Sequence, residues 1–394
     1  MENTFFIEVY CHQKNHEGER VCGDVFLSRK VTEESRIVTV LSDGMGHGVK
    51  ANVLATLTAT MAINFAIEHK DFTRTAEIIM NTLPVCSERR MSYSTFTIID
   101  IDLDGAVKIL QYDNPDALVY RSGQPLNLTW TDIELESEKN KGKKLKISSF
   151  YPKKEDRIIF CSDGITQSGL GSKSLPFGWE LEGLADFLSK RLESQPSVSA
   201  TDLASAIVKK AHQNDNYHSK DDTSCAVIYF REPRELLLCT GPPYENGKDA
   251  DYAASLMNFN GKKILCGATT ADIMARELKR EIVDSFDFSD PELPPVSYMD
   301  GVDLITEGIL TLSKVFNILS KYDQRIDLGP GPADQIVKMM LDSDRIKMII
   351  GTRINIAHQD PNIPVELEIR RTVVKRIARK LEEKFLKEVS LEYI

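Results

Sequence analysis

Through the first 230 residues, short apolar or loosely alternating runs that read as strands are interleaved with stretches of helical spacing. Residues 4–10 alternate loosely and predict a first strand, and 11–20 read as a polar loop. Residues 21–28 lead through Gly23-Asp24 into a second strand, with 36–42 as its partner. Val53, Leu54, Leu57, Met61 and Phe65 recur at helical spacing, so 50–68 predicts a helix; another covers 73–83 and is stopped by Pro84. Strands follow at 94–102, 106–112 and 117–121, with Asp102-Leu103-Asp104-Gly105 as a hairpin turn. Residues 137–146 are Lys-rich and read as a solvated edge, and helices at 179–192 and 199–213 precede a last strand at Cys225–Phe230. Hairpins followed by paired helices favour two packed antiparallel sheets flanked by helices, an α+β fold.

The pattern changes after a linker at Arg231-Glu232-Pro233-Arg234. Strand-like runs beginning at Glu235, Lys262, Val302 and Arg345 each end in a turn of small residues, and helices follow near 248–258, 271–280 and 309–321. Such alternation predicts a smaller α/β domain with a mostly parallel sheet over 235–394, after a first domain at 1–230. A long, charged, amphipathic helix is expected at 366–388.

Acids stand at strand ends four times in the first domain. Val38–Leu41 runs into Ser42-Asp43-Gly44-Met45-Gly46-His47-Gly48, and Arg157–Cys161 runs into Ser162-Asp163-Gly164. Gly23-Asp24 precedes one strand, and Asp221-Asp222-Thr223-Ser224 precedes another. One Asp-Gly alone is an ordinary turn. Four acidic corners in the order GD, SDGMGHG, SDGI, DDTS are a specific signal, because carboxylates converging from separate strands suit hard divalent cations.

At these residues the chain resembles the PP2C superfamily of metal-dependent serine/threonine phosphatases, in the bacterial branch typified by SpoIIE. The resemblance covers about residues 1–230; Ser94-Thr95-Phe96-Thr97-Ile98 and Tyr112-Asp113-Asn114-Pro115-Asp116-Ala117 look like connecting strands of that branch. Relatives often carry Gly-His before that proline; Asp113-Asn114 stands here, so no role carries over. The resemblance implies an αββα sandwich with a metal site at one end. It implies two ions, Mn²⁺ or Mg²⁺. Asp43 would bridge them, the Gly44 carbonyl would complete one, and Asp163 and Asp221 would hold the second. Asp24 and Asp222 would complete the metal set: Asp24 would orient a metal-bound water, making Asp43 and Asp24 the catalytic pair, and Asp222 would fill a neighbouring position or else cap its turn. The implied reaction is hydrolysis of phosphoserine or phosphothreonine in a phosphorylated protein substrate, often a small bacterial switch protein. The second domain would then regulate the enzyme or choose its target.

Composition narrows the alternatives. A chain of 394 residues has room for two ordinary domains. Its net charge of −10 is spread over both, which disfavours nucleic acid as a partner. The N-terminal residues lack a basic, apolar leader, and no run of about 18 uninterrupted apolar residues suggests a membrane span. Seven scattered cysteines without CxxC read as reduced thiols, so a cytoplasmic location is expected. Cys161 and Cys225 sit in apolar strands as core residues, and the absence of a Cys-x5-Arg loop leaves thiolate phosphatase chemistry unsupported.

Other candidates have two readings. His47 could protonate a leaving serine oxygen, but an exposed loop histidine beside the glycine turn is the preferred reading. Arg20, four residues before Asp24, reads equally as a surface ion-pair residue. In the second domain Gly267-Ala268-Thr269-Thr270 opens a helix and suits a small anionic ligand, with Thr240-Gly241 and Thr306-Glu307-Gly308 on the same sheet edge. Arg353, His358, Arg370 and Arg371 are possible anion contacts; caps and a solvated face explain these features as well. The second domain could equally be a docking or homodimerisation module. A non-catalytic signalling scaffold, or a sensor centred on the second domain, is the alternative to a phosphatase.

Overall fold

The computed structural model describes residues 5–68, 72–82, 94–102, 105–135, 138, 140–286, 288–322, 328–353, 364–385 and 387–394. It divides into two compact units, Met1–Glu232 and Pro233–Ile394. Pro84, the inner residues of the turn at 102–105 and His358 lie outside the described residues.

In chain order the first unit comprises β1 (Phe6–Lys14), β2 (Asp24–Val31), β3 (Arg36–Gly44), α1 (Gly48–Glu68), α2 (Phe72–Thr82), β4 (Ser94–Asp102), β5 (Val107–Tyr112), β6 (Leu118–Arg121), β7 (Gln124–Leu126), β8 (Thr131–Glu134), β9 (Lys144–Phe150), β10 (Asp156–Cys161), α3 (Asp163–Thr166), α4 (Glu180–Ser194), α5 (Ala200–Asn214) and β11 (Thr223–Arg231). Two antiparallel sheets form, ordered β2-β3-β4-β5-β9-β8 and β1-β11-β10-β6-β7. The inner faces bury Leu41, Ile99 and Ile109 from one sheet against Ile158, Phe160 and Ile228 from the other. The period of two sends the alternate residues outward. Val38 and Val40 pack under Ala59, Ala62 and Ile63 of α1, and Ile159, Val227 and Tyr229 pack under α4 and α5. The result is the αββα sandwich. Strands β8 and β9 are not predicted by the sequence pattern; β9 begins inside the Lys-rich stretch 137–146, where Leu145 is fully buried while Lys144 and Lys146 are exposed.

Among the described residues α1 is the one helix long and apolar enough to cross a membrane. Its stripe of Ala51, Ala55, Ala59, Ala62 and Ala66 is fully buried under the sheet, as in a core helix.

The second unit comprises β12 (Glu235–Thr240), α6 (Asp249–Met257), β13 (Lys262–Cys266), α7 (Ala268–Leu278), β14 (Val283–Asp284), β15 (Ser297–Met299), β16 (Val302–Thr306), α8 (Ile309–Lys321), α9 (Pro332–Asp342), β17 (Arg345–Ile350), α10 (Pro364–Phe385) and β18 (Glu388–Tyr393). Its sheet runs β14-β15-β16-β13-β12-β17-β18. The five strands from β16 to β18 are parallel, and β14 and β15 add an antiparallel edge. One face packs on α8, α9 and α10, the other on α6 and α7. Two expectations are corrected. Helix α9 joins the pattern, started by Pro332 in its first turn. The last helix ends at Phe385 rather than 388, because Val389 and Leu391 alternate with exposed residues and pair beside β17 as β18.

Candidate metal centre

Strand β3 delivers Asp43 to the sandwich end, where it is the register partner of Asp24 on β2. Strand β10 delivers Asp163 to the first position of α3, and the loop before β11 carries Asp221 and Asp222. Asp43, Gly44, Asp163 and Asp221 line one cleft of about 810 Å³. Asp24 and Asp222 do not line it; each is 2% exposed and buried.

The two Ser-Asp-Gly corners share a construction. Each serine is fully buried and ties its corner to the neighbouring strand: the Ser42 hydroxyl donates to the Thr95 carbonyl (2.8 Å), and Ser162 Oγ accepts from the Ser224 amide (3.0 Å). Each glycine permits a backbone approach that a side chain would block. A Cβ on Gly44 would lie 2.1 Å from the Ala51 carbonyl oxygen of α1, and one on Gly164 would lie 2.2 Å from the Asp222 carbonyl oxygen. The glycines thus bring α1 and the Asp221-Asp222 loop against the acids.

Like charges and burial act together here. Burial, then the charge of Asp24, Asp163 and Asp221, raises the Asp43 carboxyl well above its ordinary value. Burial pushes Asp24 up to about 7, with Asp222 and Asp221 acting the same way; Ser224 and Ser162 pull against this, yet neither hydroxyl reaches hydrogen-bonding geometry with it. Burial and Asp163 push Asp221 up to about 6. Both carboxylate oxygens of Asp24 and Oδ2 of Asp222 are buried without a partner. Unpartnered buried carboxylates are costly as ions unless a cation neutralises them. Such a set fits hard divalent cations, with Asp43, Gly44, Asp163 and Asp221 lining the cleft. Among the described residues, however, no three His, Cys, Asp or Glu side chains already close into a metal cage.

Several neighbours were missed by sequence reasoning. Gln167 donates from Nε2 to Asp163 Oδ2 (2.7 Å), a contact legible in principle from its spacing of four. The His16 amide donates to Asp222 Oδ1 (2.9 Å), and its ring stacks on His47 with centroids 4.3 Å apart. His47 is exposed and bonds Glu19 through Nδ1 (2.8 Å). Nothing in the sequence marks His16, because the long-range packing of its loop places it. Asn114 donates to Thr97 Oγ1 (3.0 Å) and joins the cleft wall, as does exposed Lys220. Arg20 is not among the cleft-lining residues. Cys161 and Cys225 are buried register partners in β10 and β11, with thiols raised far above their ordinary values chiefly by burial.

Two layers of antiparallel sheet between helices, closed at one end by an acid-lined cleft, define a PP2C-like phosphatase fold. The family model for Stage II sporulation protein E (SpoIIE) matches residues 33–231, and the chain belongs to that family. Among solved structures, the phosphatase domain with a regulatory fragment of SpoIIE from Bacillus subtilis is 18% identical, with a TM-score of 0.46 over 58% of this chain and 62% of that one. This chain therefore spans less than two thirds of that relative. RsbX in complex with magnesium is 17% identical (TM-score 0.39; 58% and 98% covered). The S. agalactiae serine/threonine phosphatase is 13% identical (TM-score 0.40; 57% and 99% covered). No curated protein sequence matches the chain.

Proposed function

We propose that this protein is a metal-dependent phosphatase that hydrolyses phosphoserine or phosphothreonine in a protein substrate, its second unit serving regulation or targeting. The observation that carries the reading is the convergence of Asp43, Asp163 and Asp221 on one cleft, over an Asp24 whose two carboxylate oxygens lack partners. Two divalent cations, Mn²⁺ or Mg²⁺, would supply the Lewis acidity and positive charge that phosphate-ester hydrolysis needs at neutral pH. Asp43, Asp163, Asp221 and the Gly44 carbonyl would hold them. Asp24, the register partner of Asp43, would add negative charge beside the site and orient a water there. Gln167 fixes the Asp163 carboxylate, and the His16 amide fixes that of Asp222. Lys220 lines the cleft with its ammonium donating to the Leu170 carbonyl (2.9 Å), and would offer positive charge to an entering phosphoryl group.

The test is hydrolysis of p-nitrophenyl phosphate and of a phosphoserine peptide, with Mn²⁺, with Mg²⁺ and with chelator, by the native protein and Asp43→Ala. Metal-dependent turnover by the native chain that the variant lacks is the expected result. Activity that ignores chelator, or none on either substrate with either metal, overturns the proposal.

A further inference from the structure

The second unit has its own ligand-ready edge. Numbered within the unit, its parallel strands run third, second, first, fourth, fifth (β16-β13-β12-β17-β18). In open sheets of this kind ligands bind beyond the carboxyl ends of the strands. Three features lie along that edge in spatial order.

Beyond β16 opens a cavity of about 520 Å³, lined by Ile305, Ala271, Pro294, Pro295, Phe286 and Phe288. The two phenylalanines are 90% and 71% exposed, an unusual state for such large apolar rings. Glu307 also lines this cavity, and its Oε2 is buried without a partner.

Next come the N-termini of α7 and α8. Both start at glycines, Gly267 and Gly308, that give no side-chain cap, and the two glycines are neighbours. A Cβ on Gly267 would meet nothing closer than 3.4 Å, so the space above it is open, and its φ of 124° suits only glycine.

At β12 stands Arg370 of α10. Its Nη1 would lie 2.6 Å from a Cβ on Gly241, which places the guanidinium over the turn that follows Thr240. Arg370 has no hydrogen bond or ion pair among the described residues. Thr240 is 1% exposed, pairs in register with Cys266, and leaves its Oγ1 unpartnered. The Cys266 thiol donates to the Glu307 main-chain carbonyl (3.0 Å), which ties the start of this turn to β13.

We propose that this edge binds a nucleoside monophosphate. The flat base would enter the apolar cavity against Phe286 and Phe288. A sugar hydroxyl would donate to Glu307, and the phosphate would lie on Arg370, the Thr240 hydroxyl and the open helix N-termini. The β16-to-β12 separation, two strand spacings of about 4.8 Å each, keeps the phosphate away from the Glu307 carboxylate. A bare anion would leave Glu307 and the apolar cavity unused, and a neutral nucleoside would leave Arg370 unused. The proposal does not depend on the phosphatase reading.

The test is calorimetric titration of the full chain with AMP, GMP, CMP and UMP, with the matching nucleosides and with inorganic phosphate. Chelator is present throughout, so that the metal-dependent cleft is not engaged. At least one monophosphate should bind, more tightly than its nucleoside or phosphate alone. Arg370→Ala should weaken the monophosphate about tenfold or more while leaving nucleoside binding unchanged. Glu307→Gln should weaken both, and Asp43→Asn neither. Thermal unfolding checks that each variant folds, and Phe288→Ala provides a second, surface-exposed probe that should also weaken binding. The proposal is overturned if no monophosphate binds, if phosphate alone binds as tightly, or if folded Arg370→Ala and Phe288→Ala both bind like the native chain.

Discussion

Asp24 and Asp43 are direct register partners across β2 and β3, a buried carboxyl on one strand beside a cleft-lining carboxyl on the next. Burial of Asp24, with the charge of Asp222 and Asp221 beside it, acts on the metal-free protein as a cost. The Asp24 carboxyl is pushed up to about 7 in the fold, from an ordinary value of 3.8. A raised folded-state value means that the favourable contribution is fully present below the unfolded value and is lost as pH rises through about 7. In chelator, Asp24→Asn should therefore stabilise the protein at pH 8, by on the order of 2–4 kcal/mol. The gain should shrink to little below pH 4. Thermal unfolding at the two pH values measures this, and an equal effect at both would refute the electrostatic account.

Asp43 is the acid that the cleft and the β2–β3 pair share. Asp43→Asn keeps the shape and removes the charge. Activity should fall by about two orders of magnitude or more, because cation binding and substrate activation depend on the same carboxylate. Calorimetric titration with Mn²⁺ should show weaker binding or fewer ions. Unchanged stoichiometry and affinity would remove Asp43 from the ligand set.

Gly44 makes a prediction about shape rather than charge. The Ala51 carbonyl occupies the place that any Cβ at position 44 would need. Gly44→Ala should force α1 away from the acidic corner, with a loss of stability of about 1–3 kcal/mol and a larger proportional loss of metal-dependent activity. A variant with native stability and native activity would show that α1 does not need this approach.

The acidic corners were legible because each stands where an apolar run stops beside glycine or a second acid, and strand ends can be read locally. The layers of the first unit followed from these strand-like runs, the hairpins between them and the paired helices. What stayed hidden depends on distant parts of the chain. Asp24 and Asp222 read like Asp43 in sequence, yet both are buried and neither lines the cleft, Asp222 being held by the amide of His16 from a distant loop. Strand β9 was masked by lysines on its outward positions, and β18 by the charged helix that runs into it. The edge of the second unit was partly visible in its Gly/Thr turns. That Arg370, far along the chain, sits over Gly241 depends on the parallel sheet order.

A buried ion pair gives a stability prediction away from the site. Arg36, 5% exposed, donates from Nε and Nη2 to the two oxygens of Asp100 at 2.7 Å each, and Nη2 also donates to the Ala66 carbonyl. Arg36→Met leaves the Asp100 carboxylate buried without its partner. A loss of about 3–5 kcal/mol is expected. The double variant Arg36→Met/Asp100→Leu should recover much of it, since it removes both charges. Denaturant unfolding of the three proteins measures the coupling, and a double variant no more stable than the single one would show that packing, not charge, is at stake.

Gln167 separates the positioning of a ligand from the ligand itself. It sits at the end of the one-turn helix that begins with Asp163. Its backbone amide donates to the Asp163 carbonyl, and its side-chain amide donates to Asp163 Oδ2, both at 2.7 Å. The side-chain bond selects one orientation of the carboxylate and leaves the other oxygen for the cleft. Gln167→Ala retains the helix, since alanine is a good helix former, but frees that rotation. Outer contacts of this kind are worth about 10–100-fold in metal affinity. The Mn²⁺ concentration for half-maximal activity should rise by that order, while the rate at saturating Mn²⁺ stays within a few fold. Gln167→Glu should be worse, because a carboxylate would replace the donor with a second negative charge against Asp163. A rise in half-saturation for Gln167→Ala with a preserved maximal rate marks Gln167 as a positioning residue. A collapse of the maximal rate at every Mn²⁺ concentration would instead place it in contact with the reacting phosphoryl group.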